Sequence, residues 1–428
     1  MNKSALDDGA GGATSSWTEA SAENAHGLAE DQKNRATAPG IPLALYLHFP
    51  WCVRKCPYCD FNSHTARGEL DEAAYVDALM RDLEFELREG DSRALSSIFM
   101  GGGTPSLFSG ASIARVLREV ERRIAFDADI EITLEANPGT ADAKNFREYR
   151  AAGVNRLSIG VQSFDDAALK RLGRIHGGDE AVRAFDTARG AGFDNLNLDL
   201  MFALPQQSAE AAAADVRKAL ALAPEHLSYY QLTLEPNTEF AARPPLLPDD
   251  DAAWEIQTRS QALLAEHGYA QYEVSAYARA GRQCRHNRNY WAFGDYLGIG
   301  AGAHGKRSFL STDNANTASA TAPLAIERRA RHKHPRSYLE TAGTASAIQE
   351  TRVVGAEELP FEYVMNALRL NEGFDYADFE ARTGLDRAAL RAPLARARSR
   401  GLLDEHDTRL RASALGRTHL NALLREFV

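Results

Sequence analysis

Cysteine is scarce in this sequence, with four thiols among 428 residues. So few and so unevenly spaced cysteines cannot form the disulfide framework of a small secreted domain, and they favour a reducing compartment. No run approaches the roughly 20 apolar residues that span a bilayer, and no basic segment followed by an apolar core marks a secretory signal. We therefore expect a cytoplasmic protein, and its sequence is compatible with transient contact with a membrane-bound partner.

An excess of positive charge is also lacking, since 59 acidic and 49 basic side chains leave a formal net charge of −10. This balance argues against a nucleic-acid partner, because broad binding of a phosphate backbone needs a basic surface. The hydrophobic content of 44% is ordinary for a globular chain, and the length allows two or three domains. The first 40 residues differ, because they are rich in small and acidic residues that predict a disordered leader.

Short apolar runs alternate with amphipathic helical patterns from Pro42 to about Glu235. This alternation predicts parallel strands joined by helical crossovers, either as a partial or full barrel or as an open doubly wound sheet. In both arrangements ligands bind at the carboxyl ends of the strands. The predicted strands cover 43–49, 97–100, 130–134, 156–161, 195–201 and 226–234, and the predicted helices cover 71–88, 113–124, 141–152, 179–190, 209–222 and 249–267.

The chain is expected to contain four regions. They are a disordered leader over 1–40, a barrel domain over 41–275, a connecting region over 276–355 and a mainly helical domain over 356–428. The connecting region includes a low-complexity stretch, Thr312–Pro323, which predicts a flexible loop. In the last region, apolar residues near 400–403 and 409–411 predict a short hairpin between helices, as in a winged helix.

Three of the four cysteines, Cys52, Cys56 and Cys59, lie within eight residues directly after the first predicted strand. Such clustering in a cysteine-poor chain favours a metal site over packing. Three thiolates on a four-iron, four-sulfur cluster would leave one iron open to bind a small molecule. The main alternative is zinc, with His48 or His64 completing a Cys3His site.

Other residues with chemical potential lie at the ends of the later strands. The glycines of Gly101–Pro105 follow the second strand, where the absence of β-carbons lets a ligand approach the backbone. Glu135 ends the third strand, Gln162 ends the fourth and Asp199 lies in the fifth. Each of these alone could equally be a helix cap or a solvent contact. Their convergence at one edge predicts a ligand site at the top of the barrel.

The segment His286–Trp291 is a second candidate site. A neutral histidine can ligate haem iron, and Tyr290 and Trp291 could pack on a porphyrin face, although a lone histidine near aromatic residues is more often structural. Cys284 forms Cys-x-His with His286, which differs from the Cys-x-x-Cys-His of covalent haem attachment. We interpret Cys284 first as a small buried residue and second as a haem contact.

The stretch Gly300–Gly305 matches G-x-G-x-x-G, a pattern that occurs in dinucleotide-binding proteins. It lacks the strand-turn-helix context and the later acidic residue that this function requires. We predict a close-packed turn instead, with His304 as a weaker alternative haem contact.

These motifs resemble those of the radical S-adenosylmethionine (SAM) superfamily and, within it, the HemW family of haem chaperones, which are similar to oxygen-independent coproporphyrinogen III oxidase. The resemblance runs from Pro42 to the C-terminus. It implies an α/β fold, a radical-SAM (β/α) partial TIM-like barrel, with a small, mainly helical, winged-helix-like C-terminal domain. The motifs that carry the resemblance are His48–Cys52, Cys56–Ser63, Gly101–Pro105 and His286–Trp291.

The resemblance also implies cofactors and the residues that bind them. A [4Fe-4S] cluster would be ligated by Cys52, Cys56 and Cys59, with SAM on the open iron. Haem would be bound by His286, Asn287, Tyr290 and Trp291. The residues expected to line the SAM site are Tyr46, Tyr58, Gly102, Gly103, Thr104, Glu135, Gln162, Arg174 and Asp199.

Two departures separate this chain from the oxidase that the family resembles. The oxidase carries a fourth cysteine two positions after the third, where this chain has Phe61, and it uses an N-terminal segment that the polar leader does not match. Both departures favour a chaperone that binds haem and passes it to acceptor haemoproteins, such as respiratory enzymes. The alternatives are radical oxidative decarboxylation of coproporphyrinogen III and radical chemistry on another substrate, so the sequence leaves open whether the chain is an enzyme.

Overall fold

The computed structural model describes residues 36–88, 90–140, 143–311, 324–406 and 408–428. Almost all of the predicted leader and the whole of Thr312–Pro323 lie outside the described residues, so the expectations for them stay predictions. The strands are β1 (Leu43–Phe49), β2 (Trp51–Cys52), β3 (His64–Thr65), β4 (Leu95–Gly102), β5 (Phe126–Ala136), β6 (Arg156–Gln162), β7 (Leu196–Phe202), β8 (His226–Gln231), β9 (Ala270–Glu273), β10 (Ala276–Ala278), β11 (Asp295–Ile299), β12 (His304–Leu310), β13 (Leu324–Arg331), β14 (Ile348–Val353), β15 (Phe374–Asp375), β16 (Leu403–His406) and β17 (Arg409–Ala412).

Helices follow most of the strands of the first half and dominate the C-terminal part. Among the described residues, no helix combines the length and the apolar character needed to cross a bilayer. The α-helices are α1 (Glu72–Leu87), α2 (Gly110–Glu121), α3 (Ala143–Ala152), α4 (Asp166–Arg171), α5 (Gly178–Gly190), α6 (Ala209–Leu222), α7 (Glu239–Ala242), α8 (Asp250–Glu266), α9 (Arg285–Trp291), α10 (Pro335–Thr341), α11 (Leu359–Ala367), α12 (Tyr376–Thr383), α13 (Arg391–Ser399), α14 (Ala414–Thr418) and α15 (Leu420–Leu424).

One twelve-stranded sheet organises the molecule, in the order β14-β13-β12-β11-β1-β4-β5-β6-β7-β8-β10-β9. The seven neighbouring strands from β11 to β8 are parallel. Because β4 to β8 follow β1 in sequential order, the sheet is a partial (β/α) barrel and not the doubly wound alternative, whose strand order reverses at a switch point. The six strands and six helices predicted between 43 and 267 are confirmed, within a few residues at their ends.

The strands β10 to β14, which lie in the region expected to connect the domains, belong to the same sheet. β11 pairs in parallel with β1, placing Leu297 opposite Leu45, and β12 to β14 continue the sheet as antiparallel strands. β12 and β13 are hard to predict from apolar alternation because most of their buried positions are charged. The buried charged side chains of this part are Asp295, Lys306, Arg307, Glu327, Arg329 and Arg331.

The three arginines of this set pair with carboxylates on α1, whereas Lys306 pairs with Asp295 on β11. The Arg331 Nε donates to Asp82 Oδ1 at 2.9 Å, and the Arg329 Nη1 donates to Glu86 Oε2 at 3.2 Å. Burial alone would raise the pKa of Glu86, but the surrounding guanidinium groups, chiefly that of Arg331, lower it to about 2. The antiparallel strands are therefore attached to the first crossover helix by ion pairs as well as by apolar contacts.

The C-terminal part has its own apolar core, in which the Tyr363 ring packs edge-on against Phe293, Phe374 and Phe379. A three-stranded sheet in the order β15-β17-β16 lies beside helices α11 to α15. The predicted hairpin is confirmed as β16 and β17, which pair antiparallel. This arrangement is the small winged-helix-like domain that the resemblance implies. The exact domain boundaries stay a prediction.

Candidate cofactor-binding site

The three clustered cysteines follow β1 at the carboxyl edge of the parallel sheet and line one cavity of ≈ 320 Å³. The Cys59 N–H donates to the Cys56 carbonyl at 3.1 Å, which forms a tight turn within the loop. Polar side chains from other loops reach two of the thiols. Thr104 Oγ1 lies 3.5 Å from Cys52 Sγ, and Arg174 Nη1 lies 3.7 Å from Cys56 Sγ. All three thiols are half-buried and accessible from the cavity.

The histidines that a Cys3His zinc site would need are engaged with other groups. Zn–S bonds of about 2.3 Å would bring the ligands close together, yet no three Cys, His, Asp or Glu side chains of the described residues are close enough to hold one ion. The two ring nitrogens of His48 lie 3.0 Å from Tyr46 Oη and 2.8 Å from the Asn62 carbonyl. His64 Nε2 lies 3.3 Å from the Lys333 carbonyl. This arrangement disfavours the Cys3His zinc alternative.

Most of the residues predicted for the SAM site line the same cavity as the thiols. A β-carbon on Gly102, whose φ is 108°, would lie 2.4 Å from the His48 ring, so glycine is required there. The exception is Tyr46 on β1, which lines a neighbouring cavity. The predicted residues around the cysteine cavity are Tyr58, Gly102, Gly103, Thr104, Glu135, Gln162, Arg174 and Asp199.

Arg174 connects several parts of this wall. Its Nη2 donates to the Gly160 carbonyl at 2.7 Å and also to Asn137 Oδ1, while Asn137 Nδ2 donates to Thr104 Oγ1 at 2.8 Å. The Arg174 Nε is buried without a hydrogen-bond partner among the described residues. A cation held in this way can offset the carboxylate of a ligand. Sequence reasoning missed Asn137, although its position just after the third predicted strand is the signal that identified Glu135.

The sixth parallel strand also contributes to the site, and sequence reasoning missed this contribution. Tyr230 near the end of β8 donates from its hydroxyl to Gln162 Oε1 at 2.7 Å, and both residues line the cavity. The strand-end rule that singled out Gln162 and Asp199 applies equally to Tyr230. Tyr230 was not predicted as a site residue because an aromatic side chain at a strand end is usually read as a packing residue.

Glu135 and Asp199 are two of the carboxyl groups that line the cavity. Burial, followed by the negative charge of Asp199, raises the pKa of Glu135 to about 8, and burial also raises the pKa of Asp199. Glu135 Oε2 accepts the Gly102 N–H at 3.2 Å. Asp199 accepts hydrogen bonds from Asn197 Nδ2 at 2.8 Å and from Ser158 Oγ at 3.2 Å. Near neutral pH, Glu135 is therefore largely protonated and able to donate a hydrogen bond.

A neighbouring cavity of ≈ 580 Å³ is lined by aromatic rings, among them Tyr46, Phe99 and Tyr290, and by His286. The His286 ring stacks on Phe99 with a centroid distance of 4.5 Å and an interplanar angle of 26°. Burial, followed by the positive charge of Arg156, lowers the pKa of His286 to about 4. Its Nδ1 is buried with no hydrogen-bond partner in the described part of the chain. The imidazole is therefore neutral at physiological pH, the form that ligates iron.

The other residues singled out for haem fall in two places. Tyr290 and His304 line the second cavity, whereas Asn287 and Trp291 do not. Asn287 Nδ2 donates to Tyr272 Oη at 3.4 Å, and the Arg369 guanidinium lies 4.2 Å from the centroid of the Trp291 ring. On this geometry, Asn287 and Trp291 hold the helix in place and His286 and Tyr290 face the cavity.

Two smaller predictions from the sequence are confirmed. Cys284 is a buried residue, and its thiol lies 3.4 Å from Glu131 Oε1. Gly300–Gly305 forms the close-packed turn that leads from β11 into β12, and a β-carbon on Gly300 would lie 2.4 Å from the His48 carbonyl.

The two cavities share a wall. Phe61 belongs to this wall and is 60% exposed. A ligand in one cavity therefore lies next to a ligand in the other. The residues that line both cavities are Cys59, Asp60, Phe61, Gly102 and Glu135.

Comparison with known proteins agrees with this architecture. Residues 46–219 match the Radical SAM superfamily, and residues 354–419 match the HemN C-terminal domain. The heme chaperone HemW of Escherichia coli is 48% identical over 387 residues, which cover 90% of this chain and 98% of that protein. The chain belongs to the HemW family. The HemW proteins of Haemophilus influenzae and Mycobacterium tuberculosis are 48% and 34% identical, over 98% and 96% of their lengths.

Membership of the HemW family, and through it of the radical SAM superfamily, implies a [4Fe-4S] cluster and SAM as cofactors. The resemblance and the fold inferred from the sequence are thereby confirmed. The solved structure of coproporphyrinogen III oxidase (HemN) from Escherichia coli, a radical SAM enzyme, superimposes with a TM-score of 0.75. It covers 92% of this chain and 91% of that chain at 24% identity, which shows a common fold.

The carboxyl group of Glu135 gives a prediction for the pH dependence of stability in this HemW-family chain. Folding raises its pKa from an ordinary value of 4.5 to about 8, so between these values the folded chain holds a proton that the unfolded chain releases. This contribution to stability is full below pH 4.5 and is lost as the pH rises to 8, with a slope of up to about 1.4 kcal/mol per pH unit. In Glu135→Gln, the unfolding free energy of the iron-free protein should fall less between pH 5.5 and 8 than in the wild type.

The exposed Glu121 on α2 offers a matched control. Glu121→Gln should follow the wild-type profile in the same denaturant titrations. If the free energy of unfolding declined equally with pH in the wild type, the control and Glu135→Gln, the raised pKa of Glu135 would be contradicted.

Proposed function

We propose that this protein binds haem in the second cavity, beside a SAM-binding [4Fe-4S] cluster, and passes the haem to acceptor haemoproteins such as respiratory enzymes. The observation that carries the proposal is the wall shared by the cysteine cavity and the histidine-bearing aromatic cavity. Relatives named heme chaperone HemW, matched over 98% of their length, support the transfer role.

The second cavity has the chemistry of a porphyrin site. Its aromatic rings can pack against the macrocycle, and the neutral His286 can serve as an axial ligand. Lys55 and Lys333 also line this cavity. Their ammonium groups can pair with the two propionate carboxylates of haem. The volume of ≈ 580 Å³ lies within the range of cavities that hold small-molecule cofactors.

The cysteine cavity has the chemistry of a cluster and SAM site. Cys52, Cys56 and Cys59 would hold the cluster and leave one iron for SAM, which would supply one-electron chemistry when bound. Arg174 can pair with the SAM carboxylate, and Asp199 can accept hydrogen bonds from an ammonium or ribose hydroxyl group. The protonated Glu135 would orient a ligand as a donor, without adding negative charge beside the thiolates.

If the clustered cysteines ligate the iron–sulfur cluster and Cys284 does not, replacing one of each should have different outcomes. Replacing Cys52 by alanine should abolish the full [4Fe-4S] centre, because a thiolate ligand is lost. The matched control is Cys284→Ala, since that buried thiol lines neither cavity. After anaerobic reconstitution, iron and sulfide analysis should show four irons for the control. A full cluster in the Cys52 variant, or its loss from a folded Cys284 variant, would contradict the ligand assignment.

Haem binding predicts a specific role for His286. In anaerobic titrations, His286→Ala should bind haem at least about tenfold more weakly, with an altered Soret band, because an iron ligand is lost. The exposed His267, next to the C-terminal end of α8, supplies the control His267→Ala, which should titrate like the wild type. Unchanged affinity and spectrum in His286→Ala would remove this residue from the site.

The proposed haem transfer predicts the outcome of two experiments, one with haem and one with coproporphyrinogen III. Haem-loaded protein mixed with a haem-free b-type acceptor should lose haem to the acceptor. Reconstituted protein with a reductant, SAM and coproporphyrinogen III under anaerobic conditions should form no protoporphyrinogen IX, in keeping with Phe61 at the position of the oxidase's fourth cysteine. Formation of protoporphyrinogen IX together with failure to transfer haem would overturn the proposal in favour of the oxidase.

A further inference from the structure

We infer that a chain of buried hydrogen bonds joins the SAM cavity to the start of α9 and makes the binding of SAM and of haem interdependent. The inference rests on the proposed function, because α9 carries His286. The chain passes from Asp199 through Asn197, His226 and Tyr272 to the backbone of Cys284. The residues between its first and last members belong to neither cavity.

Each link of the chain is a direct contact. Asn197 Nδ2 donates to Asp199 Oδ1 at 2.8 Å, and Asn197 Oδ1 lies 2.6 Å from His226 Nδ1. His226 Nε2 lies 2.9 Å from the Tyr272 hydroxyl, which lies 3.4 Å from the Cys284 backbone nitrogen. Asn197, His226, Tyr272 and Cys284 are all at most 5% exposed. Water therefore does not compete for these bonds.

The two ends of the chain fix its direction. Asp199 accepts hydrogen bonds from Asn197 Nδ2 and Ser158 Oγ, and the Cys284 backbone N–H only donates. Burial, followed by the charge of Arg156, lowers the pKa of His226 well below its usual value, so its ring carries a single N–H. That N–H must point to Asn197 Oδ1, since the amide nitrogen is used by Asp199, and the other ring nitrogen accepts from the Tyr272 hydroxyl. All donors in the chain therefore point towards Asp199.

The far end of the chain lies at the first turn of α9, where backbone N–H groups have no partner within the helix. The Tyr272 hydroxyl on β9 accepts the Cys284 N–H. Glu131 Oε1 on β5 accepts the N–H groups of Arg285 at 2.9 Å and of His286 at 3.4 Å. Two side chains of the sheet thus set where α9 begins. A shift of the Tyr272 hydroxyl alters the position of the residue whose ring lines the haem cavity.

Ligand binding at Asp199 changes the chain of hydrogen bonds. A donor on SAM that bonds to Asp199 competes with Asn197 for the lone pairs of the carboxylate. Hydrogen bonds in series polarise one another, so a change in the first bond alters those that follow. Thermodynamic linkage then requires reciprocity, and SAM changes the affinity for haem by the factor with which haem changes the affinity for SAM.

The test measures this factor in the reconstituted full-length protein. Haem is titrated with and without saturating S-adenosylhomocysteine, which offers the same amino, carboxylate and ribose groups without cleavage. The ratio of the two haem Kd values in the wild type should be at least about fivefold. Tyr272→Phe removes one hydroxyl, so each ligand should still bind while the ratio falls to about one.

Tyr277→Phe is the matched control. Tyr277 is a buried tyrosine on the adjacent strand β10, and its hydroxyl accepts from Gln261 Nε2 at 3.0 Å, outside the chain. This variant should keep the wild-type ratio. A Tyr272→Phe protein with the wild-type ratio would overturn the inference. If Tyr272→Phe does not fold, His226→Asn breaks the same link, and a ratio of one there supports the inference while the wild-type ratio overturns it.

The wild type separates this inference from the proposed function. A wild type that binds both ligands with no influence of one on the other overturns the coupling and leaves the chaperone proposal standing. A wild type that binds no haem overturns the proposed function itself.

Discussion

The geometry of the site depends on the backbone contact between two loops that follow neighbouring parallel strands. The Gly103 N–H donates to the Phe49 carbonyl and the Thr104 N–H donates to the Trp51 carbonyl, both at 2.7 Å. A β-carbon on Gly103 would lie 2.6 Å from the Trp51 carbonyl oxygen, so a side chain at this position would push the loops apart. The cysteine loop is thereby fastened to the glycine run. The strand register then places the other cavity residues of β1 and β4, Tyr46, His48 and Phe99, relative to this contact.

The second half of the chain supports this contact from the opposite side of β1. The strands that complete the second cavity are attached to α1 through buried ion pairs, among them Arg331 with Asp82 and Arg329 with Glu86. Ion pairs of this kind are costly to desolvate and add little net stability over apolar packing. They do destabilise any strand register in which one buried charge loses its partner. The arrangement therefore favours a unique position of β12 and β13, and with it of His304 at the rim of the second cavity.

Hydrophobic periodicity was sufficient to predict the parallel half of the sheet, because its strands are apolar runs and its helices have one apolar face. It failed for β12 and β13, where Lys306 and Arg329 occupy buried positions that are explained by their ion-pair partners, Asp295 on β11 and Glu86 on α1. At the site, strand ends identified Glu135, Gln162 and Asp199 because parallel strands end at one edge. The division into two cavities was beyond sequence reasoning. Tyr46 belongs to the second cavity because β1 lies between β4 and β11 in the sheet, a contact between residues about 250 positions apart.

Glu135 in the shared wall and His286 in the second cavity are both held in their neutral forms near pH 7. Glu135 holds its proton near neutral pH because burial and Asp199 oppose ionisation. His286 stays unprotonated because burial and Arg156 oppose its charge. An ionised Glu135 would repel both thiolates and propionates, whereas the neutral acid tolerates ligands on either side. Under the proposed function this suits a protein that must release haem, since the one thiol near α9, Cys284, is directed to Glu131 and the haem side presents a neutral imidazole as its candidate iron ligand.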